Sequence, residues 1–241
     1  MVILEQIQPS IFPMGIRIDE PVTMVTDLLV SAVCFYAFFS LYKISSPLKI
    51  RKFLMFYFLG MGIATFFGGV IGHGFLYAFS FAWKLPGWIT SMLAVMILER
   101  AAIEHASHVA SKGAVRFFKW MNIIELLTFM TLTFVTLNFK FVEIHSAYGV
   151  MFVVGSYSLF SYWKTRSKAS KIFLYGVGFA IVSSIIYLNQ WSLHTWFTYL
   201  DASHTFMAVA AFILYRGARV MIQEQNTLQG EKQPKLLTPE C

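Results

Sequence analysis

Apolar runs of about 20 residues recur seven times along the 241-residue chain, each closed by a short polar or proline-containing stretch. They fall at roughly 22–42, 53–82, 87–110, 117–137, 143–163, 172–190 and 196–218. Each is long enough to cross a bilayer as a helix, and together they predict an all-α polytopic membrane protein, a seven-transmembrane helix bundle. Ser45-Ser46-Pro47 and Lys84-Leu85-Pro86 punctuate the first two connections, because a residue before proline is pushed out of the helical region. The second run is the longest and is expected to tilt. This organises the chain as an extracytoplasmic segment 1–21, a membrane domain 22–221 and a polar, disordered cytoplasmic tail 222–241. Residues 1–21 carry charges and prolines without a compact apolar core, so no cleavable signal peptide is expected and the first span serves as the insertion signal.

Composition sharpens this. The chain is 57% hydrophobic and 17% aromatic but only 13% charged, against about 25% in soluble domains, which excludes an ordinary soluble fold. The net charge of +7 does not indicate nucleic acid, because the basic residues lie in short runs between apolar segments and no nucleic-acid motif accompanies them. Their distribution gives direction instead. All but Arg17, Lys84 and Lys140 of the 19 Lys and Arg fall in the loops, flanking span ends and tail on one side, so the positive-inside rule places the N-terminus outside and the C-terminus inside. A plasma or inner membrane suits this arrangement. Cys34 and Cys241 form no disulfide framework.

The few ionisable groups inside spans are the functional candidates, because a charge in hydrocarbon is costly and faces the bundle interior. Asp27 in the first span, His73 in the second, and Asp201 and His204 in the seventh share the outer half of the predicted bundle, with Glu143, His145 and His194 at its outer rim. Asp201 and His204 are three residues apart, which puts a carboxylate and an imidazole on one helix face. Such a pair suits metal ligation or a ligand with its orienting acid, and equally a self-satisfied contact between helices. His73 ends a glycine-rich stretch, Gly68-Gly69-Val70-Ile71-Gly72-His73, that lets another backbone or a ligand come close. His145 and Tyr199 are candidate substrate-binding groups. At the inner side, Glu99, Arg100 and Glu104 are expected to pair locally near His105 and His108, and Glu125 to pair with Arg100. The last span has no lysine, which argues against retinal chemistry.

The seven-span layout, the small-residue stretch ending in His73, and Trp196-Phe197-Thr198-Tyr199-Leu200-Asp201-Ala202-Ser203-His204 on the last span resemble the CREST superfamily, which includes alkaline ceramidases and the adiponectin and progestin receptors. The resemblance implies a zinc site built from histidines on the second and seventh spans, with an acid and a serine nearby. His73 and His204 carry over as metal ligands, while Asp201 and Asp27 are proposed from their depth. Where the family has a serine before the second-span histidine this chain has Gly69, where it has a second seventh-span histidine this chain has Leu200, and the ceramidase acid falls on Lys84. The resulting expectation is a zinc-dependent hydrolase of a lipid amide or ester, with His73, His204 and Asp201 on the metal and Asp27 and Asp201 as catalytic acids. The partners are then membrane lipid and a lipid substrate. Readings from other classes are a transporter or channel with an Asp/His proton or cation relay, a bis-histidine haem protein, and a non-catalytic membrane protein.

Overall fold

The computed structural model describes residues 8–232, and among these every named element is helical. The principal helices are α1 (Pro21–Tyr42), α2 (Lys49–Phe67), α3 (Leu85–Ala106), α4 (Lys112–Thr136), α5 (Lys140–Ala147), α6 (Gly155–Thr165), α7 (Lys168–Leu188) and α8 (Tyr199–Lys232). Among the described residues six helical stretches are long and apolar enough to cross a membrane, which makes this an integral membrane protein by length and composition. The predicted fifth span is divided: α5 and α6 are joined through a π-helical stretch, Tyr148–Val154, whose flanking residues Ala147 and Gly155 keep helical dihedrals. A second π stretch, Gly68–Gly74, continues α2. Single π turns inside α-helices are uncommon and often mark functional positions.

The ends of these helices follow from local chemistry. Pro21 and Pro86 sit in the first turns of α1 and α3, where a missing N–H costs nothing. Ser111 and Ser167 cap α4 and α7, their hydroxyls accepting the N–H groups of Ala114 and Ser170. Leu137 and Arg166 adopt left-handed dihedrals that stop α4 and α6. Two boundaries differ from those read in the sequence. The long second run ends as a helix at Gly74, and the residues up to 84 form short 3-10 turns, Leu76–Ala78 and Phe81–Lys84, rather than more span. At the other terminus α8 runs through Lys232, so residues 222–232, expected in a disordered tail, are helical; residues 233–241 and 1–7 lie outside the described residues.

The helices close a ring. α1 packs on α2 and α8, α2 on α3, α3 on the α5–α6 rod, α6 on α7, and α7 on α8, while α4 lies against α3 and α5. Side-chain bonds to backbone tie neighbours: Ser31 donates to the Gly62 carbonyl and Ser183 to that of Ser203, each at 2.8 Å. The apolar core, with Phe58, Leu98, Ile103, Phe173, Tyr215 and Met221 fully buried, fills the end of the bundle at which α1 finishes. Large apolar side chains such as Trp120, Val135 and Phe152 point outward, as a lipid-facing surface requires. Among the buried carboxylates and imidazoles, His105 lies in the last turn of α3, whereas Asp27, Asp201 and His204 lie toward the end at which α1 starts.

Candidate metal centre

Asp27 from α1, His73 from the Gly68–Gly74 stretch and His204 from α8 meet at that end, each offering a donor atom within 4.8 Å of the others. Small residues make the meeting possible. A methyl group on Gly68 would lie 2.8 Å from Asp27 Oδ2, and one on Gly69 would lie 3.0 Å from Asp27 Cβ and from the Met24 carbonyl. Gly68 and Gly69 therefore let α1 press against the Gly68–Gly74 stretch.

Both imidazoles are oriented from behind. His73 Nδ1 donates to Glu20 Oε2 at 2.5 Å, and the backbone reinforces that contact, since the Asp19 and Glu20 N–H groups donate to the carbonyls of Gly74 and His73. Thr26 Oγ1 gives its own hydrogen to the Thr23 carbonyl, so at 3.3 Å from His204 Nδ1 it accepts. Each ring then carries its hydrogen on Nδ1 and turns Nε2 toward Asp27. His73 Nε2 lies 3.9 Å from Asp27 Oδ2 and His204 Nε2 lies 3.6 Å from Oδ1. These separations are too long for hydrogen bonds. They are a few tenths of an ångström above the roughly 3.3 Å between two donors that share one tetrahedral zinc. Two imidazole nitrogens and a carboxylate, with the histidines held by a carboxylate and a hydroxyl, match the donor set and supporting shell of a catalytic zinc site that keeps a fourth position open.

The structure assigns the other predicted residues differently. Asp201 does not join the group. It is the third residue of α8, and its Oδ2 accepts from the Thr198 N–H at 2.5 Å, the Thr198 hydroxyl at 2.8 Å and Gln8 Nε2 at 2.6 Å. Asp201 thus reaches back to the residue before α8 as the acid of a capping box does, so the acid three residues before His204 organises the helix end, and Asp27 takes the place beside the histidines. Asp201 Oδ1 is buried without a partner among the described residues. Tyr199 lines a separate cavity of about 290 Å³ with Tyr187 and Glu143. His194 is exposed, and its own ring nitrogen accepts the Trp196 N–H. Lys84 interacts electrostatically with Glu20 and Asp27, so a cation stands where the family resemblance placed an acid.

His145 is the largest correction. Expected at a membrane interface, it is 0% exposed, bonded through Nδ1 to both oxygens of Glu125 at 2.7 and 2.8 Å. Glu125 accordingly does not pair with Arg100, which donates to Asn122 Oδ1 and the Lys119 carbonyl; Glu104 pairs with Lys119. Sequence reasoning also missed Glu20 and Thr26. A carboxylate just before Pro21 looks like loop punctuation, and only the backbone pairing of Asp19 and Glu20 with the Gly68–Gly74 stretch shows that it belongs to His73.

A family model matches residues 22–223, which encloses every one of these groups except Gln8, Asp19 and Glu20. The chain belongs to DUF6962, a family of unknown function. No curated protein matches it. The DUF6962 match thus ends within α8, and it takes in both π stretches.

Proposed function

We propose that this DUF6962 protein is a seven-span membrane protein, N-terminus outside and C-terminus inside, that binds zinc through Asp27, His73 and His204 and hydrolyses a lipid amide or ester. The observation that carries the reading is the convergence of His73 Nε2, His204 Nε2 and the Asp27 carboxylate while both Nδ1 atoms are held by other groups. The α5–π–α6 rod supplies the seventh span beside the six long helices, and the uneven distribution of Lys and Arg supports the orientation. The resemblance to CREST proteins points the same way.

Zinc held there supplies Lewis acidity to a carbonyl oxygen. The chain's own residues do the rest. Glu20 and Thr26 fix the tautomer and tilt of the two rings. Asp27 would supply the third ligand through one carboxylate oxygen, leaving the other to accept a hydrogen bond from water at the site. A substrate with acyl chains reaches such a centre without leaving an apolar environment, since the helices that carry it expose apolar side chains on their outer faces.

The test is elemental analysis of the full chain purified into lipid nanodiscs, coupled to release of fatty acid from a fluorescent acyl amide and an acyl ester. One equivalent of zinc lost on His73→Ala with His204→Ala, together with chelator-sensitive hydrolysis lost on Asp27→Asn, is expected. Unchanged metal content in the double variant, a Soret absorbance in place of zinc, or metal binding with neither substrate cleaved would overturn the reading.

A further inference from the structure

A second group of three donors lies on α3, α4 and α5: Glu99, Glu125 and His145. All are buried, Glu99 and His145 completely, and one donor atom of each lies within 4.8 Å of the other two. Two carboxylates sealed in an apolar bundle require compensation, because an ionised carboxylate without it is strongly destabilising there. The compensation visible among the described residues is incomplete. Asn122 donates to Glu99 Oε2 at 3.0 Å and relays the charge of Arg100, whose Nε donates to Asn122 Oδ1 at 2.5 Å. Glu99 Oε1 is buried with no partner among the described residues.

His145 is arranged as a ligand would be. Its Nε2 faces the Met92 carbonyl at 2.9 Å and must donate to it, since a carbonyl only accepts. A ring nitrogen held by a backbone carbonyl, with the other directed at carboxylates, is the usual support of a metal-bound histidine. Here Nδ1 meets Glu125 directly, so one proton is shared between them and occupies the place of a cation. Space has also been left for the free oxygen. A methyl group on Gly149, in the Tyr148–Val154 π stretch, would lie 2.5 Å from Glu99 Oε1 and 2.4 Å from Val95 Cγ1.

We propose that Glu99, Glu125 and His145 bind a divalent first-row transition cation, making a second metal site distinct from the Asp27 centre. The ion displaces the proton shared by His145 Nδ1 and Glu125, and Glu99 Oε1 gains the partner it lacks. Two carboxylates then balance a charge of +2 inside the membrane. Imidazole with carboxylates suits zinc, iron(II) or manganese(II) and disfavours the soft copper(I) ion.

The experiment is equilibrium dialysis of the full chain in nanodiscs against Zn²⁺ or Mn²⁺, followed by elemental analysis. Glu99→Gln preserves shape and is expected to remove one equivalent, taking the wild-type count from two to one. In the His73→Ala, His204→Ala background, which empties the first centre, it takes the count from one to none. The difference on Glu99→Gln is therefore read whether or not the Asp27 centre binds metal. Mn²⁺ bound in that background is further expected to show nitrogen coupling from His145 in its electron-nuclear spectrum. A metal count that Glu99→Gln does not change would overturn the proposal, as would a folded His73→Ala, His204→Ala protein that retains no metal, or retained Mn²⁺ without nitrogen coupling.

Discussion

The two histidine–carboxylate groups of this bundle use the same side-chain types in opposite ways. Around Asp27 the imidazoles are bonded outward, to Glu20 and Thr26, and the carboxylate between them is met at 3.6 and 3.9 Å without a hydrogen bond. Around Glu125 the bond runs inward, His145 to carboxylate at 2.7 Å, with an unpaired oxygen at the edge. The first group is an open set of lone pairs, and the second is closed by a shared proton. Removing a residue should therefore cost stability mainly in the second and ligand binding mainly in the first.

The largest effect tests that division. His145→Ala leaves Glu125 buried without its partner and should lower stability by about 3–5 kcal/mol, read from thermal unfolding in nanodiscs; pairing it with Glu125→Leu should recover most of the loss, because two apolar groups leave no charge behind. Next is Gly149→Ala, which drives a methyl group into Val95 and Glu99 and should cost about 1–3 kcal/mol in the same measurement. Asp201→Ala removes the acceptor that holds Thr198 at the start of α8 and should cost about 0.5–2 kcal/mol while leaving zinc content unchanged; zinc loss there would return Asp201 to the metal and blur the comparison. The smallest stability change is expected at Asp27→Asn, below about 1 kcal/mol in metal-free protein, because the side chain makes no short bond to either histidine. Its zinc affinity should nevertheless fall at least tenfold by competition with a chromophoric chelator.

Much of the bundle was legible from periodicity, since α1 and α4 begin and end close to the apolar runs that announce them. The limits came where helix geometry is irregular. The π stretches at Gly68–Gly74 and Tyr148–Val154 have the composition of ordinary span, and nothing in a hydropathy pattern separates i→i+5 from i→i+4 pairing. Sorting ionisable groups by depth puts Asp27, His73, Asp201 and His204 at one height, and donor atoms of Asp27, His73 and His204 do lie within 4.8 Å of one another. The same reasoning failed for Asp201 and His145, because depth fixes height along a helix and not the direction a side chain takes. Asp201 turned back to its own helix end, as a carboxylate at the third position of a helix tends to do. His145 turned inward to a glutamate on α4 that lies twenty residues earlier in the chain.

The length of α8 gives it mechanical leverage. From His204 to Lys232 the helix continues without interruption, about 42 Å at 1.5 Å per residue. A rotation of about 5° that drew the His204 ring toward Asp27 would sweep the far end through roughly 4 Å. Spin labels on the distal turns of α8 and on α2 would register that swing, making the remote terminus a gauge for an event too small to follow at the ring itself.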